Sequence, residues 1–279
     1  MPGPFLALAS ALAGGCGDFV GGTTSRRVGV VRFMFWTQLI GVVIAAVWVL
    51  VSAEPVPPVR IIAAAAGAGV GLTVGIAGLF RAMVVGSVSI VAPITATGVA
   101  LPVLVGIGRG ERPSAFQLLG ILAGIGGTML ASRSSSDVHW RVGEPGVKLA
   151  CLGALGTGVY LWLMSPASRS GIGWAMLIVC ATPVCLLAGT VIVRRASLRA
   201  TLTRQSAAAM VSAAVLTFVS VTLYAFATRH GQLAIVSVLA ALYPVVTVLL
   251  ALAVLGERIY GLQRIGVAVV LVGVLLLSS

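Results

Sequence analysis

A short stretch of this chain occurs twice, 146 positions apart, and the duplication constrains the fold more than any other feature. The first copy contains Gly110-Glu111-Arg112, and the second contains Gly256-Glu257-Arg258. Across the 23 aligned positions that begin at these glycines, eight residues are identical. Each copy has the pattern of an apolar helix, a tight charged turn and a second apolar helix. The chain is therefore expected to contain one structural unit in duplicate.

The composition indicates a membrane protein. Apolar residues make up 59% of the 279 residues, charged residues make up 9%, and the mean hydropathy is +1.14. Soluble domains average about 25% charged residues, and a membrane-spanning helix needs roughly 20 mostly apolar residues. Continuous apolar runs favour helices over the alternating strands of a barrel. We predict an all-α integral membrane protein with ten transmembrane helices. They cover approximately residues 4–23, 30–51, 60–80, 86–107, 114–132, 147–165, 172–193, 206–228, 232–254 and 260–277.

The duplication divides the chain into two units. We expect a first five-helix repeat at 1–133, a connecting loop at 134–146 and a second five-helix repeat at 147–279. Because five is an odd number, the second repeat enters the membrane from the opposite side, so the repeats are inverted. Inverted repeats around a site near the midplane are a recurrent design for alternating access. Glycines at helical spacing predict close helix contacts on the third span (Gly67, Gly71, Gly75, Gly78) and the fifth (Gly120, Gly124, Gly127).

The charges and the scarcity of polar residues exclude several classes of function. The net charge of +12 comes from arginines and one lysine, nearly all at span ends. Such charges in loops are expected to set the topology and to interact with anionic lipid headgroups, rather than to bind nucleic acid. With two histidines, both in loops, and six acidic residues, the sequence is expected to hold no catalytic constellation, metal site or cofactor site. It also has no GxxxxGK[ST] loop, so it is not expected to use ATP directly.

The duplicated motif resembles the EamA-type repeat of the drug/metabolite transporter superfamily. In the second copy the motif stands as Leu255-Gly256-Glu257-Arg258, with Gln263, Gly266 and Gly273 after it and Pro244 before it. The first copy has Gly98 where the second has Pro244, with Pro93 and Pro102 on either side. The N-terminal stretch from Gly17 to Gly22, with Gln38, resembles bacterial members of this group.

The resemblance implies a secondary transporter in the cytoplasmic membrane of a bacterium. Such a protein moves a small metabolite or drug-like compound by alternating access, with export as the favoured direction. The expected partners are the lipid bilayer, the substrate and a coupled proton, with a homodimer as an open alternative. A non-transporting scaffold or lipid-handling subunit built on the same repeats is the competing interpretation. Charge bias places both termini outside, whereas the habit of the family places them inside.

Asp18 is the main candidate for the site, because a carboxylate in a span costs roughly 2.5–3.5 kcal/mol. Its neighbours at three and four residues are the small side chains of Gly14, Gly15, Gly21 and Gly22, which predict an inward face. In this interpretation Asp18 couples transport to protonation or to a cationic substrate. The alternative places Asp18 at the membrane edge, paired with Arg26 or Arg27.

The remaining candidates are aromatic or hydroxyl side chains. Tyr160, Tyr224 and Tyr243 are expected to line the cavity, or else to be ordinary interfacial aromatics. Thr95 and Tyr243 lie near prolines, and Pro244 is expected to mark a helix break that frees backbone carbonyls.

The motif residues Glu111, Arg112, Glu257 and Arg258 are interpreted as structural. Each glutamate is expected to cap the helix that follows it and to pair with a neighbouring arginine.

Overall fold

The structure is a computed structural model, which describes residues 2–85, 94–95, 97–131, 145–194, 203–255 and 261–278. Every regular element in these ranges is helical. The helices are α1 (Pro2–Val28), α2 (Val30–Ser52), α3 (Val59–Val85), α4 (Ala100–Gly108), α5 (Ala115–Ala131), α6 (Pro145–Ala167), α7 (Ile172–Arg194), α8 (Arg204–His230), α9 (Leu233–Ala240), α10 (Tyr243–Leu255) and α11 (Gly261–Ser278). A short 3-10 turn, Thr97–Val99, precedes α4.

Six helices contain a stretch that is long and apolar enough to cross a membrane. These stretches are Pro2–Ser25, Val30–Ser52, Val59–Leu79, Gly146–Ala167, Ile172–Gly189 and Arg204–His230. The prediction of a helical, multi-pass membrane protein is thereby supported. The other four predicted windows overlap in part with the shorter apolar helices Thr97–Gly108, Ala115–Ala131, Leu233–Thr247 and Arg264–Leu277. Ten complete spans therefore stay a prediction.

The outer surface of the bundle is apolar. Val51 and Leu50 are 82% and 80% exposed, and Phe5 and Leu275 are 74% and 72% exposed. An apolar surface of this extent is unfavourable in water. It matches the hydrocarbon of a bilayer, which has no polar group to satisfy.

The two halves of the chain contact each other through corresponding helices. α1 packs along α8, and α3 packs along α6, so the first helix of each half contacts the third helix of the other. α2 packs against α7, and α5 packs against α11, so the second and the fifth helices pair with their own counterparts.

The predicted glycine ridge on α3 forms a close helix contact. A Cβ atom added to Gly71 would lie 2.8 Å from the carbonyl oxygen of Gly156 on α6. One added to Gly78 would lie 2.8 Å from the Cα atom of Gly153. Because any larger side chain would separate the helices, glycine is what allows these backbones to touch.

The α5–α11 contact also depends on glycine and shows the relative direction of the two helices. A Cβ atom on Gly120 would lie 3.0 Å from the carbonyl oxygen of Gly273, and one on Gly127 would lie 3.0 Å from that of Gly266. Ascending positions on α5 thus meet descending positions on α11. The two helices are antiparallel.

The predicted helix break beside Pro244 is present. The window 232–254 is divided into α9 and α10, with Ala241 and Leu242 between them. Pro244 is the second residue of α10, where a missing N–H leaves no helical hydrogen bond unmade. In the first half, the 3-10 turn Thr97–Val99 directly precedes α4, while Pro93 lies outside the described residues.

Candidate functional site

Asp18 lies on a face of α1 that is otherwise buried in the bundle. Residues spaced by seven or eleven positions share one helix face, and Ala7, Ala11 and Ser25 on this face are only 0%, 2% and 4% exposed. The Asp18 side chain between them is exposed. On the opposite face, Leu12 is 58% exposed and points outward. Asp18 is thus an accessible carboxylate between buried residues of the same helix face.

Asp18 is also far from the end of its helix. It precedes Val28, the last residue of α1, by ten positions, which corresponds to about 15 Å of helix. No ion pair joins Asp18 to a residue in the described part of the chain. Arg27 is exposed, and the side chain of Arg26 lies outside the described set. Asp18 therefore lies within the candidate span Pro2–Ser25, about two helical turns before Arg26.

Tyr243 lies beside the same stretch of α1. A Cβ atom on Gly15 would lie 2.7 Å from the carbonyl oxygen of Tyr243, and the Thr247 hydroxyl donates to the Gly15 carbonyl at 3.1 Å. A Cβ atom on Gly14, one turn before Asp18, would lie 3.5 Å from the Cβ atom of Tyr243. The break between α9 and α10 is what allows the first turn of α10 to pack here.

Tyr160 and Tyr224 form a pair of neighbouring rings in the core. Their ring centroids are 6.1 Å apart, with an angle of 41° between the planes. The Tyr224 hydroxyl donates to the Leu161 carbonyl at 2.7 Å and lies 2.8 Å from the Ser237 hydroxyl. Tyr224 therefore connects α6, α8 and α9, and its role as a direct ligand stays a prediction. The hydroxyls of Tyr160 and Tyr243 have no hydrogen-bond partner among the described residues.

Gln38 was not among the side chains that the sequence singled out for the site. It is 9% exposed and shares the buried face of α2 with Met34, Gly41 and Ala45. Its carboxamide makes no hydrogen bond to a described residue. The sequence feature that could have identified Gln38 is its position as the lone amide of an apolar span, at helical spacing from small residues.

Thr95 is half-buried, two residues before the 3-10 turn Thr97–Val99. That turn packs on α6, since a Cβ atom on Gly98 would collide with the Ala154 carbonyl oxygen. The assignment of Thr95 to the site stays a prediction.

Glu111 caps a helix, although it is not the helix that the sequence predicted. Its carboxylate accepts hydrogen bonds from the backbone N–H groups of Leu233 at 2.6 Å and Ala234 at 2.9 Å, at the start of α9 in the other half. Gly110, with φ 94°, turns the chain in a conformation that favours glycine. Gly106 has no side chain to displace the carboxylate, which lies where a Cβ atom would be.

The helix that follows Glu111 has its own cap. The Ser114 N–H donates to Gln117 Oε1 at 2.9 Å, and the Gln117 N–H donates to Ser114 Oγ at 3.2 Å. This reciprocal pair is a capping box. The expectation that Glu111 caps the following helix is therefore wrong, because Ser114 and Gln117 already satisfy that terminus and leave Glu111 to reach α9.

Glu54 makes a second contact of the same kind. Its carboxylate accepts from the N–H groups of Gly173 and Trp174 at 3.4 Å each, near the start of α7. The Trp174 indole N–H donates to the Glu54 carbonyl at 3.0 Å.

Of the residues in the repeated motif other than Glu111, Arg112 is exposed. Glu257 and Arg258 lie outside the described residues, as does the connecting loop 134–146 up to residue 144.

Comparison with known proteins agrees with this architecture. The sequence profile described as the EamA-like transporter family matches residues 1–133 and 144–279. A solved structure titled only "Crystal structure of protein" superposes with a TM-score of 0.82 at 17% identity, covering 98% of this chain and 95% of the other, which shows a shared fold. No curated protein matches the sequence. Since the family profile covers nearly the whole chain in two copies, this protein belongs to the EamA-like transporter family.

Proposed function

We propose that this protein is a secondary transporter of the drug/metabolite type, which moves a small metabolite or drug-like compound across the cytoplasmic membrane of a bacterium. Family membership supports a transporter, and one observation supports the location of its site. Asp18 is exposed on a helix face whose other members are buried. A charged side chain within a span that faces the bundle interior is a functional-site candidate by default, because placing it there is costly.

The proposed mechanism is alternating access between inverted repeats. Support comes from the packing of α5 against α11, which are counterparts in the two halves and run antiparallel. Counterparts related by a two-fold axis within the membrane plane must run antiparallel, whereas an axis along the membrane normal would make them parallel. The reciprocal pairs α1–α8 and α3–α6 fit the same axis.

The proposed state is closed on the side where α1 begins, which we call the N-terminal side. Two carboxylates of the first half, Glu111 and Glu54, bind helix N-termini of the second half there. A Cβ atom on Gly3 would lie 2.7 Å from the His230 carbonyl oxygen, so the start of α1 also packs on the α8–α9 turn. Around Gly22, one turn beyond Asp18 away from this side, there is open space.

Asp18 is the proposed binding and coupling group. A carboxylate that is accessible from one side of the membrane at a time can bind a proton or a cationic substrate on one side and release it on the other. Export is the proposed direction. Compounds that raise the unfolding temperature of the purified protein, found by screening a metabolite pool, supply the substrate for the assay.

The deciding experiment is uptake of such a compound by proteoliposomes with and without a pH gradient. Asp18→Asn is expected to abolish the dependence on the gradient without changing insertion or the unfolding midpoint. Thr23→Val is the matched control, since Thr23 lies on the outer face of α1 and bonds only to carbonyls of its own helix. Normal gradient-driven uptake by Asp18→Asn would refute the proposal. A scaffold would show no uptake with either the native protein or the variants.

A further inference from the structure

We propose that Gln38 determines substrate specificity, by hydrogen-bonding a neutral polar group of an amine substrate whose cation binds Asp18. This inference rests on the proposed transport function and adds a substrate class to it. The class is a compound with a protonated amine and, a few bonds away, a hydroxyl or amide group on an apolar body.

The first argument is the state of the Gln38 side chain. It is about nine-tenths buried, yet its carboxamide has no hydrogen-bond partner in the described part of the chain. A buried amide without a partner costs roughly 1–3 kcal/mol. Among the described residues, the fully enclosed side-chain polar atoms without a partner belong to Trp36, Trp162 and Thr222, and Gln38 does not belong to this set. Its amide therefore reaches open volume, where a ligand or water can bond to it.

The second argument is depth. α1 and α2 are joined by Gly29 alone, whose φ of 88° permits a sharp turn between them. A Cβ atom on Gly21 would lie 2.9 Å from the Phe33 ring, which fixes how the two helices align. Asp18 precedes Gly29 by 11 residues, and Gln38 follows it by nine. One turn of α8 contacts both helices, since a Cβ atom on Gly17 would lie 3.1 Å from Thr217 Oγ1 and one on Gly41 would lie 3.8 Å from the Phe218 ring. Asp18 and Gln38 each lie within one helical turn of that contact, and so at similar depth.

The third argument is what surrounds Gln38. Gly41, on the same face of α2, adjoins Cys180 on α7, because an added Cβ atom would lie 3.0 Å from the Cys180 sulfur. Gln38 thus lies on the face of α2 that packs on α7 and α8. A ligand that contacts both Gln38 and Asp18 meets one amide and one anion, which suits a cation combined with a neutral donor or acceptor.

The chemistry is tested with two matched probes, 2-phenylethylamine and phenylalaninol, which differ by a hydroxymethyl group next to the amine. Binding is measured by calorimetry on the full-length protein in nanodiscs. The native protein is expected to bind phenylalaninol about tenfold more tightly. Gln38→Leu is expected to bring that ratio close to one and to leave the affinity for 2-phenylethylamine unchanged. Thr37→Val is the control, because the Thr37 hydroxyl bonds only to carbonyls of its own helix.

The selectivity ratio separates recognition from a structural role. If Gln38→Leu weakens both probes equally, Gln38 supports the fold and the proposal is wrong. It is also wrong if the native protein does not distinguish the probes, or binds neither of them. None of these results touches the transport proposal, which is decided by the response of Asp18→Asn to a pH gradient with the compound found by screening.

Discussion

Removing the Glu111 carboxylate should release the closed N-terminal side. The Glu111→Ala variant removes both hydrogen bonds to the start of α9, at 2.6 and 2.9 Å. A hydrogen bond to a charged group contributes about 1.5–3 kcal/mol, and a charge at a helix N-terminus contributes a further 0.3–1 kcal/mol or so. Because Glu111 is half-buried and partly hydrated, we expect a loss of about 2–3 kcal/mol, which shifts a two-state population roughly 30- to 150-fold.

The shift can be measured as a distance between spin labels on the N-terminal side. The labels are attached at Gly108→Cys and Ser170→Cys, two exposed positions in different halves. The native cysteines are first replaced, namely Cys16, Cys151, Cys180 and Cys185. The native protein should give mainly the short distance, and Glu111→Ala mainly a longer one.

Three related variants make the reasoning specific. Glu111→Gln keeps one acceptor oxygen and should give an intermediate distribution. Glu54→Gln should shift it less, because the Glu54 contacts are longer, at 3.4 Å. Arg112→Ala, next in sequence and exposed, is the control. If Glu111→Ala leaves the distance distribution unchanged, the carboxylate does not hold the two halves together.

Three further predictions concern packing and topology. Gly127→Leu should lower the unfolding midpoint in detergent and the yield, because an added Cβ atom would lie 2.8 Å from the Val270 N atom. Gly126→Leu is the control and should change neither, because a Cβ atom there meets open space. Equal effects of the two variants would contradict the packing. Tyr224→Phe should cost about 1–3 kcal/mol in unfolding free energy, because two hydrogen bonds to its hydroxyl are lost, and an unchanged midpoint would count against it. Single cysteines at the Gly110 and Gly256 turns should react with an impermeant reagent from opposite sides of the membrane, and labelling from one side would exclude inverted repeats.

The sequence alone determined the class of this protein, because apolar runs of about 20 residues satisfy their own backbone only as helices in lipid. The repeated Gly-Glu-Arg turn was enough to indicate two units, and the glycine spacing on α3 and α5 was enough to predict close helix contacts, since both patterns are local. Tertiary structure decided how the polar residues are used. Glu111 was assigned to the wrong helix because its partner is 122 residues away in the chain, and a neighbouring capping box already satisfied the local terminus. Gln38 gave only a weak signal for a related reason. The sequence shows that an amide lies in an apolar span, whereas only the packing of α2 against α7 and α8 shows that no side chain in the described part of the chain hydrogen-bonds to it.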